Sequence, residues 1–368
     1  MSERISRLQF VVLMIWNILG TGFVTIPFAF AHFDIRDSWI AALLFMAGTT
    51  VATLVYYIFL KVFPNAVLSD AIEQGYGRAI GFLMHFFIIV WFVVTTAMLV
   101  RELNLFVETT ILPKSPLYLI NAAMIVAVVY AAYAGIEVMG RTAELVSLIA
   151  FAAILAVIVM PVSKADFHQL TPILANGWTP VLRASITPDI SFALEFIVGL
   201  QFITSLKRPD KAAQDVMIAG GVVTATLLFG TLLVTTVLGP AAAYLAFPGV
   251  EVARSIQFGQ FVERVDTIIV LTTVGTLFLK ISIFFYALCN YTASALRLVS
   301  MKHITLPAGM LVWTGSILFW KNASAIQSYM LFVTPAYFFV TLLLIPMGGA
   351  ALALLRRTAV RPAQNSQK

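Results

Sequence analysis

The sequence predicts an all-α integral membrane protein, built as a single bundle of about ten transmembrane helices. Three observations carry that prediction. The 368-residue chain is 61% hydrophobic and 11% charged, with mean hydropathy +0.96, far from an ordinary water-soluble domain. Its apolar residues gather into ten long stretches, most of them near the ~20 residues that a helix needs to cross a bilayer. Those stretches do not show the apolar-out, polar-in alternation of a membrane β-barrel.

The stretches lie near 8–30, 38–62, 79–100, 117–133, 142–161, 184–205, 213–239, 265–297, 305–320 and 329–355. The fourth and ninth are short, so nine or eleven crossings stay open. Together they form one domain, 1–355, followed by a basic cytoplasmic tail, 356–368, whose polar composition predicts disorder. The first stretch is too long for a cleaved signal peptide and no small-residue cleavage site follows it. Cys289, the one cysteine, excludes a disulfide framework and reads as a packing residue.

The first stretch carries the most informative feature, an interruption at Gly20-Thr21-Gly22 and again at Pro27. The bilayer core offers no water, so a crossing helix must satisfy its own backbone groups. Glycines followed by proline free several of those groups at mid-depth. Transporters use such half-helices to hold small ligands. The alternative is close helix packing, which Gly-x-Gly also permits.

The net charge of +6 reports topology and gives no argument for nucleic acid. With both termini inside, 14 of the 23 Lys and Arg residues fall on the inner side and eight on the outer side, with Lys280 inside a span. That bias fits a cytoplasmic N-terminus and an even number of crossings. Anionic lipid is a natural partner for the basic inner face.

Two outer segments exceed simple turns. The segment 163–183, punctuated by Pro172, Gly177 and Pro180, predicts short interfacial helices with Trp178 at headgroup level. The segment 239–266 contains apolar residues at helical spacing over 252–265, which predicts an amphipathic helix. The inner loop 207–211 is basic, and its Pro209 stops the sixth span.

Charges inside spans cost several kcal/mol and mark either function or a pairing. Glu195 lies near the middle of the sixth span and Lys280 in the middle of the eighth. They are candidates for a structural ion pair or for a coupling site that meets a ligand charge or a proton. Ser282 and Tyr286, four apart, share one helix face and form a candidate ligand face. Lys280 is about 200° round the helix from Ser282. His85, early in the third span, reads as an interfacial residue. The zinc, P-loop and nucleophile-elbow signatures of enzymes are missing, so the chain is read as a non-enzyme with no cofactor and no ATP-driven step of its own.

In order along the chain, several landmarks resemble the B-subunit, or permease-like, family of bacterial spore germination receptors. They begin with Ile5-Ser6-Arg7-Leu8-Gln9-Phe10, Gly20-Thr21-Gly22, Pro27, and Asp37 with Trp39-Ile40. Gly135-Ile136-Glu137-Val138 follows, with Arg141, Ala143 and Glu144, then Pro172, Gly177 and Pro180 within 170–182. Phe247-Pro248-Gly249-Val250-Glu251, then Arg254, Phe261, Glu263, Arg264, Asp266 and Lys280-Ile281-Ser282, complete the set. The resemblance implies an amino acid–polyamine–organocation transporter architecture, LeuT-like, with a 5+5 inverted repeat and broken helices 1 and 6.

It further implies a protein of the inner spore membrane that assembles with an A subunit and a C-subunit lipoprotein. Its task there is to recognise a nutrient germinant, an amino acid for example. The ligand would lie among Gly20, Thr21, Gly22, Ala193, Leu194, Glu195, Ser282 and Tyr286, between helices 1, 6 and 8. A proton- or sodium-coupled amino acid transporter is the alternative, and a scaffold with a vestigial site is a third reading. Two departures bear on the site: Leu194 stands where the family has a glycine, and Thr272-Thr273 where it tends to have a tryptophan.

Overall fold

The structure, a computed structural model, describes residues 4–112, 114–245, 247–255 and 265–360. Helices account for every regular element among the described residues. The first five long ones are α1 (Arg7–Phe33), α2 (Ser38–Val62), α4 (Arg78–Thr110), α5 (Leu117–Ala134) and α6 (Ile136–Val159), with a short α3 (Leu68–Tyr76) between α2 and α4. The second set opens with α7 (Trp178–Ile186), whose span continues as π-helix over Thr187–Phe192 and as 3-10 helix over Ala193–Ser205. It goes on with α8 (Ala212–Leu238), α9 (Pro248–Arg254), α10 (Val265–Ala295) and α11 (Lys302–Leu318). The last span is α12 (Ala323–Ser328), α13 (Thr334–Phe338) and α14 (Ile345–Val360), joined by π-helical turns.

Among the described residues eight helical segments are long and apolar enough to cross a membrane, and bent α1 makes a ninth. Helix α11, at 17 residues, reaches about 25 Å, just short of the ~30 Å hydrocarbon core. Helix α4 runs on to Thr110, ten residues past the apolar stretch read from the sequence. Its extension is buried on one side, through Leu103, Phe106 and Val107, and this packing holds Arg101, Glu102 and Asn104 in the helix. Arg101, counted among the outer charges above, is therefore a buried helical residue.

Local chemistry explains the chain start. Ser6 Oγ accepts from Gln9 N and Gln9 Oε1 accepts from Ser6 N, a reciprocal cap that satisfies two first-turn donors of α1. Ile5 lies against the end of the sixth span: its N–H donates to Ser205 O at 2.9 Å, and Lys207 N donates to its carbonyl at 3.0 Å. Arg7 then reaches Asp215 on α8 at 2.6 Å. These contacts put the start of α1, the end of the sixth span and the start of α8 on one face of the bundle, here the N-terminal face.

The opposite face carries the longer connections. Met160–Lys164 and Phe167–Leu170 form short 3-10 turns, and Trp178 opens α7. Asp37, almost fully buried between α1 and α2, accepts the Leu174 N–H on both carboxylate oxygens at 3.1 Å and so straps this segment down. The segment 239–266 begins with a 3-10 turn, Gly239–Tyr244, and α9. The amphipathic helix expected over 252–265, with Phe261, Glu263 and Arg264, falls mainly outside the described residues. So does the tail beyond 360, while helix α14 continues through the tail's first residues to Val360.

One core runs through the bundle. Trp91 on α4 packs its ring on Phe284 of α10 and Phe338 of α13, with centroids 6.1 and 5.0 Å away. Gly48 on α2 lets that helix press against the sixth span, because a Cβ there would lie 2.8 Å from Ala193 Cβ and Asp189 O. His85 is buried among the helices, and its Nδ1 lies 2.9 Å from the Tyr291 hydroxyl on α10.

Candidate ligand site at the bend of the first helix

Helix α1 turns by 52° between Arg7–Phe23 and Thr25–Phe33, in the middle of its span. The bend sits just past Gly20-Thr21-Gly22 and before Pro27, whose ring removes one helical hydrogen bond and crowds the preceding turn. Gly20 itself serves packing. A Cβ there would lie 2.5 Å from Lys280 Cβ and 2.7 Å from Thr276 O, so only glycine lets α10 come this close.

The sixth span is irregular at the same depth. Its passage from π to 3-10 winding changes the pairing of its carbonyls, and π-turns of this kind gather at functional sites. Two of those carbonyls are satisfied from neighbouring helices: Asn17 Nδ2 donates to Glu195 O at 3.0 Å, and the Tyr56 hydroxyl to Phe196 O at 2.8 Å. An open backbone in lipid is tolerable only with such substitutes.

Lys280 joins the two irregular helices. Its ammonium donates to Glu195 Oε2 at 2.7 Å and to Thr21 Oγ1 at 2.8 Å, and sits 4.7 Å from the centre of the Phe192 ring. Lys280 is fully buried and Glu195 nearly so. With its partners in place the pair is compensated; either charge alone would carry the full cost of desolvation.

Beside this junction lies a cavity of about 30 Å³ walled by Thr21, Thr25 and Phe28 of α1, Glu102, Leu105 and Phe106 of α4, Leu277 of α10, and the last span. Phe247 closes it from the loop before α9, its ring edge-on to Phe106 at 5.6 Å. A second cavity of about 20 Å³ lies on the other flank of α1, lined by Trp16, Gly20 and Thr272, Thr273 and Thr276. Each holds about one water as it stands.

The same bundle recurs in solved transporters. It superposes on MhsT in complex with L-phenylalanine with TM-score 0.69, covering 96% of this chain and 99% of that one at 10% identity. Mhp1, a nucleobase-cation-symport-1 family transporter with bromovinylhydantoin bound, matches with TM-score 0.66 over 89% of this chain and 75% of its own, at 11% identity. At such low identity these likenesses establish the fold alone: a LeuT-like bundle in two five-span halves, each opening on an irregular helix. Sequence decides the family, since residues 4–326 match the spore permease family described as Spore germination protein.

The chain belongs to the spore germination permease family.

Spore germination protein KB of Bacillus subtilis (strain 168) is similar over 343 residues, 26% identical, spanning 91% of this chain and 90% of its own length. For this spore germination permease the structure brings Thr21, Glu195 and Lys280 into direct contact. Gly22 lies near Ile26 and Phe192, Ala193 packs on Gly48, and Leu194 is buried in the core. Ser282 is buried with its hydroxyl unpartnered, and the Tyr286 ring meets Phe202 at 6.2 Å; neither lines the cavity beside Thr21. The sequence reading missed Glu102, because the third apolar stretch was taken to end at Val100. Leu103, Phe106 and Val107 were the signal that the helix continues, with Glu102 on its buried part.

Proposed function

We propose that this spore germination permease is the nutrient-sensing B subunit of a germinant receptor. It sits in the inner spore membrane with both termini on the core side and works with A and C subunits. The nutrient is a small molecule, an amino acid above all, and it occupies the space between the bent first helix, the sixth span and α10. The observation that supports a ligand beside the first helix most is the cavity at the bend of α1, walled by α1, α4, α10 and the last span, with the sixth span adjoining through Glu195 and Lys280.

Binding acts by differential affinity. A ligand that fits an opened form of the cavity better than this one shifts the population toward it. The walls that must part include Phe247 and Met330, which lie in connecting and π-wound segments outside the regular spans. The half-helix beginning at Thr25 carries the positive end of its dipole at the cavity and favours a ligand carboxylate. Lys280 binds Thr21 of α1 and Glu195 of the sixth span at once, so a displacement of either irregular helix is felt by the other.

The direct test is equilibrium binding of labelled amino acids and sugars to the full chain in nanodiscs, followed by flux in proteoliposomes. Saturable binding without gradient-driven accumulation supports the sensor. Accumulation driven by a proton or sodium gradient makes the chain a working transporter, as its fold relatives are. Binding lost in Gly22→Leu places the ligand at the first helix.

A further inference from the structure

We infer that Glu102, on α4, receives the ammonium group of the ligand. This rests on the nutrient-binding reading above and names the side chain that holds the ligand in that site.

Glu195 is already committed, because its carboxylate holds the Lys280 ammonium at 2.7 Å. Glu102 is different. It is 9% exposed, lines the cavity beside Thr21 and Thr25, and its Oε2 is buried with no hydrogen-bond partner. A native structure leaves few such atoms, and an unpaired carboxylate oxygen inside a membrane bundle is the costly kind. The neighbouring cation does not relieve it: Arg101 Nη1 donates to Asn104 Oδ1 at 3.1 Å on the same helix.

Charge balance points the same way. Among the described residues Glu195 has Lys280 as its ion-pair partner and Glu102 has none. This part of the bundle therefore holds one more carboxylate than ammonium, and a second ammonium would balance it. A primary ammonium suits the site in hydrogen bonding as well, because Glu102, Thr21 and Thr25 line one space and each carries an oxygen that can accept. Most of the remaining wall is apolar, through Phe28, Leu105, Phe106, Phe247, Leu277 and Met330, with Gln327 as its polar member.

The test uses the full chain in lipid nanodiscs with labelled L-alanine, L-valine and L-leucine. Each is competed by its own 2-hydroxy acid, which replaces the ammonium with a hydroxyl, and by glucose. Saturable binding of at least one amino acid, resistant to its hydroxy acid, is expected. Glu102→Gln weakens that binding by about 30-fold or more, as for a buried charged hydrogen bond that loses one partner, and Glu102→Asp weakens it less. Equal competition by the hydroxy acid, binding unaffected in Glu102→Gln, or binding of glucose alone would each overturn the inference while leaving a nutrient site in place. No saturable binding of any probe to the unaltered chain would overturn the nutrient-binding reading itself. If Glu102→Gln does not fold, the hydroxy-acid competition on the unaltered chain still decides.

Discussion

The Lys280 ammonium lies 2.7 Å from Glu195 Oε2, and the same nitrogen donates to Thr21 Oγ1, so a single charged atom ties α10 to both irregular helices. Neither side chain has access to solvent to speak of, with side-chain exposures of 0% and 3%. The pair therefore behaves as a unit whose halves cannot be removed separately without leaving a bare charge in the membrane.

Removing one half should be costly. Lys280→Met or Glu195→Gln alone is expected to destabilise the bundle by about 3–5 kcal/mol, whereas the double variant recovers most of that loss. Unfolding in mixed detergent micelles, compared across the four proteins of this cycle, reads the coupling. Additive losses would show that the two side chains act independently.

The approach of α2 to the sixth span should tolerate no side chain at Gly48. Gly48→Val is expected to destabilise by about 1–3 kcal/mol through overpacking against Ala193 and the Asp189 carbonyl. Thermal melting in detergent checks this, with Gly221→Val as a control, because a Cβ at Gly221 meets open space.

The strap between Asp37 and Leu174 holds the 163–183 segment on the bundle. Asp37→Ala removes a charged acceptor worth about 1.5–3 kcal/mol per bond. Hydrogen exchange at residues 170–176 should speed up while exchange in α4 and α10 stays as it was. Uniform acceleration would indicate global destabilisation instead.

Orientation is open to labelling because Cys289, the one native cysteine, is buried. Lys207→Cys and Asn176→Cys, exposed on opposite faces, should react with a membrane-impermeant maleimide from opposite sides. Placement of the N-terminus on the core side expects Asn176→Cys to react from outside. The reverse pattern would invert the topology.

Much of the fold was legible because lipid constrains sequence severely. Apolar runs of crossing length are their own signal, and even the shortness of α11 was visible in them. The centre of the first span was harder. Two glycines looked like the break, yet they remain helical, since glycine in a helix costs only about 1 kcal/mol and Gly20 is needed for contact with α10. The bend falls instead between Phe23 and Thr25. In the sixth span Leu194 stands where the family has a glycine, yet the winding there is 3-10, and Asn17 and Tyr56 supply donors to its carbonyls from other helices. Long-range hydrogen bonds of that kind leave no local trace. Glu102 escaped for a related reason: its burial depends on the last span and the Phe247 segment, more than 140 positions away.

The clasp between Ile5 and residues 205–207 bears on how the protein is made. About 200 residues separate its two sides, and at ~5–20 residues per second the ribosome needs roughly 10–40 s to deliver the second after the first. During that interval the first helix sits in the bilayer with its amino end untied and its buried polar groups, Asn17 and Thr21, waiting for partners that have not yet been synthesised. The nascent chain thus needs the insertion machinery, or transient water, to shelter Asn17 until the sixth span arrives and Thr21 until α10 does. A bulky fusion placed directly before Ile5 would interfere at that late step, after membrane targeting has already succeeded.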